Sequence, residues 1–276
     1  MANRVGTNGC GKMVGVSLQY FMFQTLSSYY RTALSDLHYQ GVEVLLWRVV
    51  VKLLSPVLQV DMQILFDLDL GETAPNRPAK VACVITQAGE EEIDEILDMP
   101  MQRLSPEQTA LLSNSGELQY AQLLRMRAKA YDTYRRQMRA GERCYVARVD
   151  GIMAHSNWVR FDDCAALDTC PVNLKPGEVY TTDGFTRESY RGLRLHEAVA
   201  THMLQVAQQR GCRRAYTITD LTKAGSRRGV HRIGWSRRGS ILYITPRGLK
   251  RTWMVRLGGD LEPLFDNVRA SVASDH

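Results

Sequence analysis

The chain has 276 residues, with a formal charge of +6 from 35 Lys and Arg against 29 Asp and Glu, and 45% of its residues are apolar. At roughly 100–200 residues per domain this is one large domain, or a domain with an appendage, long enough to bury a core without disulfide or metal staples. The balanced composition excludes collagen-like, disordered and disulfide-scaffold classes.

In chain order, residues 1 to 15 are rich in Gly, Asn and Thr and read as a loose tail. Leu18 to Leu54 carries apolar residues at helical spacings and predicts two helices separated near Gly41. The stretch from Val42 to Leu54 is interrupted by Glu43, Arg48 and Lys52 and falls short of the ~20 apolar residues of a membrane span, although a basic amphipathic helix leaves surface attachment open. Gln63 to Leu70 alternates as a strand does, and the turn residues from Gly71 to Pro78 suggest a boundary. The expected organisation is a helical extension with one strand at 1–78, a domain at 79–258 and a tail at 259–276.

Within that domain, Lys80 to Ile85 predicts a strand and Glu90 to Leu97 a helix with an acidic first turn. Ser105-Pro106 starts another helical stretch, and Leu118 to Met138 is a long helix stopped at Gly141. Asp150-Gly151 between Arg143–Arg148 and Ile152–Phe161 signals a hairpin. Glu178 to Thr186 is a strand, followed by a basic turn and a helix with apolar residues at 195, 199, 203 and 206 that ends at Gly211. A strand at 214–219, a short helix at 225–232 and strands at 239–245 and 253–257 complete an α/β pattern with a mixed sheet flanked by helices.

Six cysteines, at positions 10, 83, 144, 164, 170 and 212, are scattered without a CxxC pair. Together with an N-terminus lacking a basic, then apolar, then small-residue pattern, they lead us to expect reduced thiols and a cytoplasmic protein. The six histidines never fall at i, i+4 around a carboxylate, so no metal site is expected. Charge is uneven: from Arg187 to Arg256 there are 16 Lys and Arg against Glu188, Glu197 and Asp220, whereas the rest of the chain is net acidic. That quarter of the chain expects an anion.

The strand, basic glycine turn and helix over 178–209 form the strongest local signal, since backbone N–H groups at a helix start, the positive dipole end and a close-approach glycine suit phosphate. Neither GxxxxGK[ST] nor GxGxxG occurs, which excludes the P-loop and dinucleotide patterns. The residues Phe185 to Gly192, the helix ending at Gly211, the strand 214–219, Ser226-Arg227-Arg228 and Ile233-Gly234-Trp235 together resemble the GNAT acyltransferase superfamily. Gly141 to Ala147 with Asp150-Gly151 is similar to that family's second and third strands, and the resemblance covers about 80–257. It departs at Glu188, where a proline is usual, at Arg194 and His196, where small residues are usual, at Lys223, where an asparagine is usual, and at Val230, where many members place a catalytic tyrosine.

The resemblance implies a GNAT-like mixed sheet, acetyl-CoA as acyl donor, an amine acceptor and direct attack in a ternary complex without a metal. It implies an acyl oxyanion held by backbone N–H at a bulge around Gly184 to Thr186. The cofactor-binding residues it implies are Gly184, Phe185, Thr186, Arg191, Gly192, Leu193, Arg194, Leu195, His196 and Ser226, with part of the Arg227, Arg228, Arg232, Arg237 and Arg238 cluster at the nucleotide 3′-phosphate. For the general base Asp183 and Glu178 both stand, on opposite faces unless a bulge intervenes, with His155 or water as further options. Ser226 either donates to the leaving group and pantetheine arm or caps the short helix. Acceptor pockets are expected at 98–140 and 245–253, Trp158, Trp235 and Trp253 as core or cleft walls, and a homodimer is left open. A basic nucleic-acid-binding module without catalysis is the competing function, although no base-reading motif accompanies the charge.

Overall fold

The strand read from sequence as part of an N-terminal extension lies in the interior of the sheet. In the computed structural model, which describes residues 42–71, 76–101, 117–164, 172–249 and 252–258, β1 (Leu58–Asp69) pairs with β6 (Arg214–Asp220) on one side and β7 (Ser236–Pro246) on the other, antiparallel to both. The boundary expected at 71–78 is corrected accordingly: the unit holding the sheet begins at Val57. The preceding unit, residues 1–56, contributes α1 (Val42–Leu54), the second of the two helices expected there. The loose tail at 1–15, the helix before Gly41, the start at Ser105-Pro106, the tail at 259–276, Cys10 and Cys170 lie outside the described residues.

The remaining elements are β2 (Val84–Gln87), α2 (Ile93–Met101), α3 (Glu117–Arg139), β3 (Arg143–Val149), β4 (Ile152–Phe161), β5 (Glu178–Thr186), α4 (Leu195–Gln209), α5 (Ala224–Ile233) and β8 (Trp253–Leu257). They build an eight-stranded sheet in the order β2-β3-β4-β5-β6-β1-β7-β8, in which β5 and β6 are the parallel pair. β3 and β4 form the hairpin that Asp150-Gly151 announces, both residues adopting positive φ (51° and 79°) as a tight primed turn requires. β2 is displaced from the expected 80–85 because its partner runs out. Val84 pairs with Arg148, next to the end of β3 at Val149, so residues 80–83 have no strand beside them.

Successive strand residues point to opposite faces, and the helices divide between them. Cys144 joins a buried cluster with Val146, Trp158 and, from α2, Ile96 and Met99, against which Tyr134 and Met138 of α3 pack. Its neighbour Tyr145 meets His202 of α4 on the other face, ring centroids 5.5 Å apart. α4 buries Leu195, Val199, Met203 and Ala207, the helical stripe read from its sequence. The face that carries Trp158 continues across the sheet as Tyr180, Tyr216, Leu65 and Ile241. Trp158 is wholly buried, and truncating such a side chain to Ala typically costs about 3–5 kcal/mol. The four described cysteines, Cys83, Cys144, Cys164 and Cys212, are free thiols.

Candidate active site

The parallel pair β5 and β6 is joined only from Glu178–Arg214 to Thr181–Thr217, where the Thr217 hydroxyl also donates to the Thr181 carbonyl at 3.0 Å. Beyond that point the strands separate, and the cause is local. On β4, Trp158 pairs with Thr182 and Ser156 with Phe185, so Asn157 alone faces both Asp183 and Gly184. Two residues against one is a β-bulge, and Asp183 takes the strained φ of 50° that goes with it. The bulge bends β5, whose pairing with β6 ends at Thr181. A groove opens there at the carboxyl ends of two parallel strands, where ligands of open α/β sheets bind.

The turn after β5 closes the end of this groove. Gly192 has φ 80°, and a Cβ there would meet nothing within 4 Å, so its conformation, not crowding, requires glycine. Arg194, the N-cap of α4, holds a left-handed conformation (φ 60°, ψ 25°). It makes no side-chain capping bond to the first turn of the helix. In that turn Glu197 is buried and binds Arg232 at 2.9 Å, with Arg194 at 3.9 Å. The Leu193 carbonyl accepts from the Lys80 amide, which ties the turn to the segment before β2. Leu195 is a core residue, 1% exposed.

His196 fills the space between Gly184 of β5 and Gly229 of α5. A Cβ on Gly184 would stand 3.2 Å from its Nδ1, and one on Gly229 of α5 would stand 3.1 Å from its Cδ2. The His155 ring meets it edge-on at 5.5 Å, and His155 Nδ1 lies 2.7 Å from the Thr186 hydroxyl. Burial pulls both imidazoles below their usual pKa, and each thus stays neutral at physiological pH. His155 therefore sits behind the bulge as a packed, neutral ring.

Asp183 lies beside the bulge at the mouth of the groove. The residue keeps solvent contact, yet protein crowds its carboxyl, and burial raises its pKa against the downward pull of the Lys223 ammonium and the Thr182 hydroxyl. The Tyr134 hydroxyl of α3 is pushed up to about 12, by burial first and then by the charge of Asp183. Phe185 packs on the Trp158 cluster below, and Thr186 backs onto His155. Glu178 does not belong to this site. It begins the strand, five residues and thus ~17 Å before Asp183 along β5, and its carboxylate accepts from the Tyr216 hydroxyl (2.8 Å) and the Lys175 amide (2.9 Å). Ser226 is exposed in the first turn of α5, whose N-cap is Lys223, so the capping role considered for Ser226 is not the one it has. Val230 is buried within α5 and Trp235 just beyond it.

The arginines expected at an anion are partly committed within the fold. Arg191 pairs with Glu188 at 3.4 Å, Arg232 with Glu197, and Arg238 with Asp67 of β1 at 3.0 Å. The structure also brings in residues the sequence did not single out for this place. Asp61 of β1 and Asp220 at the end of β6 lie close enough that, after burial, the second charge raises the Asp61 carboxyl further, while Lys223 lowers it. Tyr243 of β7, paired with Asp61 across the sheet, is pushed up to about 12 by burial and that carboxylate. The legible signal was an Asp and a Gln alternating with apolar residues in Val60-Asp61-Met62-Gln63, a strand pattern with acidic character on one face.

No protein-family model matches the chain, and no curated protein matches it. Solved structures similar to it include a conserved protein of unknown function from Staphylococcus epidermidis, 15% identical over 73% of this chain with a TM-score of 0.44. They also include an acetyltransferase of the GNAT family from Colwellia psychrerythraea, 10% identical over 68% with a TM-score of 0.44, and a GCN5-related N-acetyltransferase from Sphaerobacter thermophilus, 14% identical over 71% with a TM-score of 0.39. The chain spans 66%, 56% and 56% of the length of these three. The chain's own element order builds a mixed α/β sheet with helices on both faces, whose parallel β5–β6 pair parts at a bulge ahead of the glycine turn into α4.

Proposed function

We propose that the chain is a coenzyme A-dependent N-acyltransferase that moves an acetyl group from acetyl-CoA to an amine. The observation that carries this is the bulge at Asp183-Gly184, which frees a strand edge in line with the basic start of α4. The pantetheine arm, an extended chain with two amides, would complete the pairing that β5 loses past Thr181. The diphosphate would meet the turn from Arg191 to His196. The eight arginines at 187, 191, 194, 227, 228, 232, 237 and 238 suit a coenzyme with roughly −4 of phosphate charge. The competing nucleic-acid reading has the same charge behind it but no base-reading motif.

In this mechanism the backbone N–H groups freed by the bulge stabilise the oxyanion that forms on the acyl carbonyl. Asp183 accepts the proton of the acceptor ammonium so that the nitrogen lone pair can attack; its raised pKa makes the carboxylate a better base. The thiolate leaves without a phenol at position 230, and a thiol of pKa near 8.5 tolerates that at neutral pH. Ser226 and solvent are the donors within reach of the α5 start.

Thermal unfolding with and without acetyl-CoA tests the proposal. At 100 times Kd a ligand bound only by the folded chain adds ~2.7 kcal/mol. Arg191→Glu places a carboxylate against the diphosphate and abolishes that gain. A variant that is stabilised as much as the parent puts the cradle elsewhere.

A further inference from the structure

Lys223 is the primary amine that the fold places at the mouth of the groove. It ends the turn after β6 and caps α5, with its amide bonded to the Asp220 carbonyl at 3.1 Å. Asp183 leaves the neighbouring parallel strand two residues past Thr181, the last paired position of β5. Both therefore issue from the carboxyl ends of adjacent parallel strands, on the two sides of the opening between them. Asp61 reaches the same opening from β1, whose Gln63 pairs with Asp220. Electrostatics agree with that placement, since the Lys223 ammonium lowers the carboxyls of both Asp183 and Asp61. Yet the lysine is exposed, and among the described residues no carboxylate lies within 4 Å of it. An ammonium held between carboxylates, but locked to none, keeps the freedom to move toward a bound thioester.

We infer that Lys223 is an internal acyl acceptor, acetylated on its side-chain nitrogen by acetyl-CoA bound in the groove of the same molecule. The inference rests on the acyl-transfer proposal above. In the step, the Lys223 ammonium gives one proton to Asp183 through an intervening water, and the neutral amine attacks the thioester carbonyl carbon. An N–C bond forms, the oxyanion rests on the freed N–H groups of β5, and the C–S bond breaks on its collapse. The departing thiolate takes a second proton from nitrogen, and Asp183 returns its proton to solvent. The products are an amide at Lys223 and free coenzyme A. The modified side chain is neutral and removes the cation that holds down Asp183 and Asp61.

The chain carries seven lysines, so one site can be followed against the others by peptide mass mapping. The full chain is incubated with acetyl-CoA and no added amine. One acetyl group is expected, at Lys223, with a rate constant that does not rise with protein concentration. Lys223→Arg loses that acetyl, and Asp183→Asn slows its appearance at least tenfold, the lower reach of general-base assistance of ~10²–10⁴. Acetyl spread over Lys80, Lys129 and Lys175 as fast as on Lys223 overturns the inference, as does an undiminished rate in Asp183→Asn. Thermal stabilisation by unacylated coenzyme A, measured in parallel, separates the two failures. Stabilisation without acetyl at Lys223 removes this inference alone; absence of both removes the acyltransferase proposal with it.

Discussion

Gly229→Ala is a sensitive probe of how the groove is backed, because two opposed effects meet at one atom. Gly229 lies inside α5, where alanine is favoured over glycine by ~1 kcal/mol. The new methyl, however, would stand 3.1 Å from His196 Cδ2, against ordinary carbon contacts of about 3.5–4.0 Å. The ring is hemmed in on two further sides: the Gly184 backbone lies so near that a Cβ there would stand 3.2 Å from its Nδ1, and the His155 ring meets it edge-on at 5.5 Å. Overpacking of this kind costs about 1–3 kcal/mol, so the net effect is a loss of roughly 1 kcal/mol. In a His196→Ala background the obstacle is gone, and the same substitution should gain ~1 kcal/mol. The double-mutant cycle then yields a coupling near 2 kcal/mol, well outside the ~0.3–0.5 kcal/mol scatter of independent sites. Urea unfolding at constant slope measures each corner. Equal effects of Gly229→Ala in the two backgrounds would show that His196 does not pack between β5 and α5.

Glu142 and Arg160 form an ion pair at 3.3 Å with side chains 2% and 8% exposed, and Glu142→Ala, which removes the carboxylate from this buried pair, should cost ~3 kcal/mol in urea unfolding. Arg194→Gly relieves a left-handed conformation worth ~1 kcal/mol and should raise stability while weakening the response to acetyl-CoA, two effects that one thermal-shift titration separates. Asp183→Asn should lower kcat by ~10²–10⁴, whereas Glu178→Gln leaves it within a few-fold. Because only ionised Asp183 serves as base and its pKa is raised, kcat/KM should fall with acid through a limb above the ordinary carboxylate range, and Lys223→Gln should move that limb higher still. The same shift carries a stability sign: a carboxyl whose folded pKa exceeds its unfolded value costs the fold stability once ionised, so Asp183→Asn should not lower Tm at neutral pH and should raise it.

Short-range patterns carried most of the elements. A turn dipeptide between two β-rich runs was enough for β3 and β4, and apolar spacing was enough for α4, because both are decided by residues within a few positions of one another. The phosphate-suited turn was legible for the same reason, down to the glycine at 192. The base was not. Period-two alternation assigns Glu178 and Asp183 to opposite faces, but the extra residue opposite Asn157 cancels that alternation past Thr182 and turns Asp183 toward Tyr134. A bulge is a property of two strands counted against each other, and one strand read alone does not contain it.

The misplacement of β1 has the same origin over a longer distance, and it matters more for chemistry. Its apolar alternation identifies a strand and the polar turn after it reads as a domain border, whereas pairing with β6 and β7 is settled only when distant segments compete for its two edges. That competition joins the two largest parts of the sheet through a strand from the start of the unit. It also delivers Asp61 to the mouth of the groove, next to Asp220 and within reach of the Lys223 charge. The electrostatics of the acceptor side thus come from three places far apart in sequence: a bulge residue on β5, a cap residue on α5 and a carboxylate on β1. An ammonium entering there meets two raised carboxyls and one resident cation. In the proposed reaction, both the choice of acceptor and the fate of Lys223 turn on which of those charges remains once acetyl-CoA is in place.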